Sequence, residues 1–190
     1  KTLLNHRLYL PQPDRSYGMK CFCKNSRNGL NPIIDERAHH CITGCNKNCF
    51  GTAAHNSVVH AINTCFNALG FGTKKEPENL FSFVNGNFTD AQRKLRPDLL
   101  IKDINYNNLR GCAVDVSLTS PIPLTQNRNF TRQDAQIINR ASSARYAEKV
   151  TKYNEICNAI GIKFQPFIIE TTGRMHSSST SWLNDAFNKK

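Results

Sequence analysis

No uninterrupted apolar run in this 190-residue chain approaches the roughly 18 residues needed to span a bilayer, and its N-terminus lacks the basic, apolar and small-residue succession of a secretory signal. The expectation is a soluble protein with no membrane partner, working in a reducing intracellular compartment. Acids are scarce as well: 14 Asp and Glu stand against 25 Lys and Arg, a formal net charge of +11. Such a deficit favours a polyanionic partner, because Lys and Arg that neutralise phosphates release condensed counterions. An initiator methionine is also missing, for the sequence starts at Lys1, and we expect a piece of a longer polypeptide. The length suits one well-buried domain with a small appended module and is too short for two full domains.

From Cys21 to about Phe50 there is almost no core-forming run, and a segment of that kind needs a staple to be ordered. Five of the eight cysteines crowd into it, Cys21, Cys23, Cys41, Cys45 and Cys49, beside His39, His40 and the nearby His55. Clustering of this sort favours metal over disulfides. Zinc takes four Cys or His ligands in a tetrahedron, usually as two short pairs from different parts of the chain. Cys21 with Cys23 forms one tight pair, and the second comes from His39-His40-Cys41-Ile42-Thr43-Gly44-Cys45, which offers more candidates than places. Cys65, Cys112 and Cys157 stand singly among apolar neighbours and read as small core residues.

Further along, Val58, Val59, Ile62, Phe66 and Leu69 recur at helical spacing, which predicts a helix over residues 52–69 with Gly70 as its stop. The stretch holding Glu76, Glu78, Leu80, Phe81 and Phe83 is poorly patterned, and Asn85-Gly86 reads as a hairpin turn. Residues 99–101 and 112–118 read as strands buried on both faces, separated by a polar turn from Asn105 to Gly111. Pro121 and Pro123 open a loop, residues 133–160 form a long helix closed by Gly161, and residues 164–169 form a third strand. Pro166 within it marks a side that is not fully paired. A serine-rich turn at residues 177–179 precedes a short helix with Trp182, Leu183, Ala186 and Phe187 on one face. Helix, strands, long helix, strand, helix is the order of an α/β fold.

The chemistry sits in two of these strands, Arg96-Pro97-Asp98-Leu99-Leu100-Ile101 and Cys112-Ala113-Val114-Asp115-Val116-Ser117-Leu118. Side chains alternate along a strand, so Asp115 shares a face with Ala113 and Ser117, while Val114, Val116 and Leu118 take the other. Asp115 is thus aimed away from that core. Asp98 begins its strand after a proline that cannot donate to the ladder, at a strand end where a cleft can form. Magnesium takes hard oxygen ligands and commonly only one or two carboxylates, with waters and substrate phosphate completing the octahedron. If the two strands pair, one cation can bridge both acids, a site suited to cutting phosphodiester bonds.

Taken in order, the Cys/His cluster from Cys21 to Cys45, His55-Asn56 opening a helix, Arg96-Pro97-Asp98, Val114-Asp115-Val116, the helical residues 149–153 and Phe167-Ile168-Ile169-Glu170 resemble the restriction-like endonucleases of the PD-(D/E)xK superfamily. The likeness is particular to the endonuclease domain of site-specific non-LTR retrotransposons and covers roughly residues 20–175. It implies a restriction-endonuclease-like core, a central mixed sheet flanked by helices, over residues 51–190, preceded by an irregular lead-in and zinc-binding loop module over residues 1–50. It further implies catalytic Mg2+ or Mn2+ on Asp98 and Asp115. A structural Zn2+ would sit on Cys21, Cys23, His40 and Cys45, with Cys41, His39 or Cys49 as alternates. In the superfamily a lysine two residues beyond the second acid helps to orient the attacking water. Here Ser117 stands in that place, and the retrotransposon branch is similar in carrying lysines on the following helix instead.

Lys149, Lys152 and Tyr153 are spaced i, i+3 and i+4 and so share a helix face. Either lysine can stabilise charge on the scissile phosphate. Glu76 or Glu78 after the first helix, or Glu170 on the third strand, are candidates for a further ligand. Where the family has Arg-His-Asn this chain has Ala54-His55-Asn56, and His55 is expected to cap the helix start or pack against the metal module rather than to ligate. The function these features imply is a metal-dependent endonuclease that nicks target DNA to prime a mobile element's reverse transcription in the nucleus. Its expected partner is DNA, with RNA and the rest of a larger reverse-transcriptase polyprotein as further candidates. Two other readings stay open, a non-catalytic zinc-containing nucleic-acid-binding module and another nuclease of the same fold such as a junction resolvase.

Overall fold

The stripe of Val58, Val59, Ile62 and Phe66 becomes the inner face of the first helix, α1 (Phe50–Ala68), with Leu69 in the turn just beyond it, in the computed structural model, which describes residues 50–106, 109–120, 137 and 139–188. Gly70, with φ of 80°, ends it by donating to the Asn67 carbonyl while Phe71 N–H donates to the Phe66 carbonyl. This paired closure leaves the Phe71 ring 5.8 Å from that of Phe66, the apolar contact that accompanies such a cap. There follow β1 (Thr73–Lys75), α2 (Asp90–Arg93), β2 (Leu99–Tyr106), β3 (Leu109–Thr119), α3 (Arg140–Ala159), β4 (Lys163–Glu170) and α4 (Ser177–Asn188).

The four strands form one mixed sheet in the order β1-β2-β3-β4. β1 and β3 each run antiparallel to β2, and β4 runs parallel to β3. A parallel neighbour requires a crossover, here carried by α3. Helices cover both faces. On one, Val59, Ile62 and Phe66 of α1 and Trp182 and Ala186 of α4 pack against Leu99, Ile101, Cys112, Val114 and Val116. On the other, Tyr153, Ile156 and Cys157 of α3 pack with Ala113, Phe164, Phe81 and Val84. The α/β expectation therefore holds, and β3 is buried from Gly111 through Ser117. No helix among the described residues is long and apolar enough to cross a membrane.

Several local expectations are corrected. The long helix starts at Arg140, because Asn139 adopts a left-handed conformation, φ of 66°, that interrupts helical hydrogen bonding. Asn85-Gly86 is not a hairpin turn, since no strand flanks it. Its loop is instead pinned by Arg93, whose guanidinium donates to the carbonyls of Val84, Gly86 and Phe88. Residues 177–179 form the first turn of α4, where the His176 ring caps the helix by accepting from Ser178 N–H at 3.2 Å. Cys65 is exposed, one residue back from Phe66 and hence rotated out of the inner stripe, whereas Cys112 and Cys157 are buried as expected. β1 and the extension of β2 and β3 across the polar turn were not anticipated. The loop opened by Pro121 and Pro123, and the first 49 residues, lie outside the described residues.

Candidate active site

Asp98 directly precedes β2, and its carbonyl accepts from Glu76 N–H beside the end of β1. Leu99 faces Val114 in the antiparallel register, so one step back along β2 brings Asp98 opposite Asp115. The Asp98 carboxylate is held at both oxygens: Oδ2 accepts from Val116 N–H at 2.7 Å, and Oδ1 lies 3.1 Å from His55 Nε2 of α1. Burial, and then the charge of Asp115, push its acidity toward higher pH than an ordinary Asp, with the Val116 N–H and His55 pulling the other way.

Asp115, 4% exposed, meets Lys149 of α3, 9% exposed, with Nζ 2.6 Å from Oδ2. The contact is ionic rather than an aligned hydrogen bond. Breaking a buried pair like this from one side strands an uncompensated charge, so losing either partner alone is costly. Asp115 does turn from the core under α1 and α4, but into the margin of the second core beneath α3 rather than into open solvent. One turn beyond Lys149, Tyr153 stacks on Phe164 at 4.8 Å, and its hydroxyl donates to the Arg96 carbonyl. Burial, then the charge of Asp115, push its pKa well above that of a free phenol. Tyr153 is therefore a hydrogen-bond donor at neutral pH, not a phenolate.

These groups open on a cleft of about 360 Å³ lined by His55, Asp98, Asp115, Ser117, Arg145 and Lys149 together with the β3 backbone. Arg145 lies one turn before Lys149 on α3; its Nε donates to Ser117 Oγ at 2.7 Å, and its Nη1 lies 2.6 Å from both oxygens of Glu148. Sequence reasoning missed Arg145 entirely and assigned His55 to helix capping or to the metal module. His55 sits in the second turn of α1 rather than at its start, and touches Asp98; the metal module lies outside the described residues. The four-residue recurrence of Arg145, Lys149 and Tyr153 was the available signal for the first. Nothing local announces the second, which depends on how α1 lies across the end of β2.

Lys152 shares the helix but not the cleft. It is exposed, with Nζ 5.2 Å from the centre of the Tyr153 ring. Glu76 pairs with Arg96 at the surface and Glu78 is exposed, neither lining the cleft. Glu170 is buried at the far end of β4, opposite Thr119, where it accepts from Ser142 Oγ and Thr172 Oγ1. Cys21, Cys23, His39, His40, Cys41, Cys45 and Cys49 lie outside the described residues. Among the described residues no group of three or more His, Cys, Asp and Glu is arranged to hold a metal ion. A hard divalent cation needs only one or two carboxylates. Asp98 and Asp115 fit that donor set, since two carboxylates brought opposite each other across one strand pair put hard oxygen ligands in the same cleft, with Lys149 engaging one oxygen of the second. No family model matches the sequence, and neither does any curated protein.

Proposed function

We propose that this chain is a divalent-metal-dependent DNA endonuclease of the restriction-like PD-(D/E)xK kind, nicking target DNA for the insertion of a mobile element. The observation that carries the reading is the meeting of Asp98 and Asp115 across β2 and β3 with Lys149 of α3 against the second acid. The mixed sheet flanked by helices on both faces is compatible with the core this reading requires. So is the position of Lys149: with Ser117 on the strand where a lysine would be expected, an ammonium reaches the acids from the next helix instead.

Asp98 and Asp115 would hold Mg2+ or Mn2+, which when bound lowers the pKa of a coordinated water and offsets charge on the phosphoryl group. The chain's own residues supply the rest. His55 and the Val116 N–H fix the Asp98 carboxylate on two sides, so its orientation is set before substrate arrives. Lys149 neutralises part of the acid charge, lowering the barrier to bringing a phosphodiester into the cleft, and its ammonium is placed to stabilise negative charge that grows on the scissile phosphate. Tyr153 anchors the Arg96 carbonyl and so the turn that delivers Asp98. Zinc on Cys21, Cys23, His40 and Cys45 would staple the segment ahead of α1, and the net charge of +11 suits DNA as the partner.

A second reading, a module of the same fold that docks nucleic acid without cutting it, is favoured by one observation: Asp115 Oδ2 is already engaged by Lys149. Supercoiled plasmid incubated with the purified chain and Mg2+ or Mn2+ separates the two. Nicked circles that disappear with EDTA and with Asp115→Asn are expected. Folded protein that binds the plasmid and leaves it supercoiled under every metal tried would discard the nuclease in favour of the binding module.

A further inference from the structure

Arg145 has no part in holding either acid, yet it lines the cleft they open on. Its position is built. Nε is fixed by the hydroxyl of Ser117, itself buried in β3, and Ser117 lies two residues beyond Asp115 on the same strand face. The other engaged nitrogen, Nη1, faces the carboxylate of Glu148. The two ends of this arrangement differ in permanence. The serine is buried, whereas the Glu148 side chain is 59% exposed and does not line the cleft. An ion pair in that setting is screened by water and held weakly. A guanidinium fork prefers the planar, bidentate partner that a phosphate also offers. Among the described residues, the only other Lys or Arg lining the cleft, Lys149, is already paired with Asp115.

From this geometry we propose that Arg145 grips a backbone phosphate of the bound strand next to the acid pair, and that Glu148 is its resting counter-ion, displaced when the phosphate arrives. The assignment rests on the nucleic-acid reading of the same cleft and adds to it the residue that docks the strand. Ser117 then has a task on a strand face otherwise given to chemistry: it orients the fork from below. Glu148 acts as a built-in competitor, setting the affinity of the free cleft without touching the acids.

Fluorescence anisotropy with a short DNA duplex in EDTA reads binding without cleavage, and plasmid nicking in Mg2+ reads the reaction. Arg145→Ala is expected to weaken binding roughly tenfold or more. It should also flatten the dependence of log K on log salt concentration by about 0.9, the signature of one lost phosphate contact. Arg145→Lys should restore the slope and only part of the affinity. Glu148→Gln should tighten binding in the wild-type background and leave it unchanged in the Arg145→Ala background. An Arg145→Ala chain with the wild-type salt slope would overturn the assignment, as would a Glu148→Gln gain that persists without Arg145, since the glutamate would then act only through the overall charge. The two readings fail separately. A chain that binds DNA with the expected Arg145 slope but never nicks sinks the nuclease alone, and one that nicks normally as Arg145→Ala with an unaltered slope sinks the grip alone. A chain with no affinity for DNA at low salt sinks both.

Discussion

β3 shows different chemistry to the helices on its two sides. Toward α1 and α4 it presents Cys112, Val114 and Val116, met by Phe66 and Trp182. Toward α3 it presents Ala113, Asp115 and Ser117, met by Tyr153, Lys149 and Arg145. The first side is what folding alone would select, apolar area removed from water and packed to high density. The second contains a buried ion pair and a buried hydroxyl, groups whose replacement by well-packed apolar residues is often neutral or stabilising. Stability does not account for keeping them on a strand buried along most of its length. Burial also pushes the thiols of Cys112 and Cys157 up to about 12, which keeps them protonated and inert, whereas Asp98 and Asp115 line a cleft.

If stability resides on one side and chemistry on the other, mutations should separate along the same line. The largest stability loss is expected from Phe66→Ala, which removes a fully buried ring stacked 4.9 Å from Trp182. It should cost about 4 kcal/mol in urea unfolding and leave nicking per folded molecule unchanged. A proportionate loss of nicking in protein that is still folded would break the division, because it would mean that the packing under α1 sets the geometry of the acids.

Lys149→Met comes next, at about 3 kcal/mol, since it abandons the buried Asp115 carboxylate beside Asp98. Adding Asp115→Asn to it should return much of that stability and none of the nicking. This pairing sharpens the comparison, for it predicts that the polar side can be made stable again only by giving up its charges. Equal unfolding midpoints for wild type and Lys149→Met would show that the pair is solvated, and that the two sides do not differ in the way argued.

How far the sequence alone reveals this division depends on the range of each interaction. Asp98 and Asp115 were legible because strand alternation and a preceding proline are local signals, and Lys149 and Tyr153 because helical spacing is. The apolar side was legible for the same reason, in the stripe of Val59, Ile62 and Phe66. His55 was not, since its contact with Asp98 joins residues far apart in the chain. Arg145 was missed, since its partner Ser117 is also distant in sequence. β1, with only three residues, is too short for alternation to register, and the helix start at Arg140 was hidden because a left-handed Asn139 leaves no trace in hydrophobic pattern. Lys152 lies i+3 from Lys149, yet the narrow inner face of α3 admits Lys149 and Tyr153 and leaves Lys152 outside.

The smallest effect concerns the polar side away from the acids, where α3 meets the start of α4. His176 is buried there, stacked on Tyr146 at 4.6 Å, with Nε2 3.5 Å from Ser143 Oγ and Nδ1 accepting from Ser178 N–H. An accepting Nδ1 assigns the ring proton to Nε2, so Ser143 has no general base in this histidine despite the buried Glu170 nearby. Burial lowers the pKa of His176 below the ordinary 6.5, with the Glu170 charge opposing it in part. Between the folded value and 6.5 the unfolded chain binds a proton that the folded chain does not, so stability rises with pH through that window and falls on acidification. Asp98 works with the opposite sign in its own range above 3.8, because its raised pKa lets the folded state hold the extra proton. Urea midpoints measured from pH 7.5 down to 5.5 for wild type and His176→Asn isolate the histidine, since the Asp98 contribution is common to both. Asn keeps an acceptor for the helix cap while removing the titration, and its loss of stability on acidification should be the shallower of the two. Parallel curves would mean that His176 protonates freely in the folded protein, and that this part of the polar side is open to water rather than packed like the apolar side opposite.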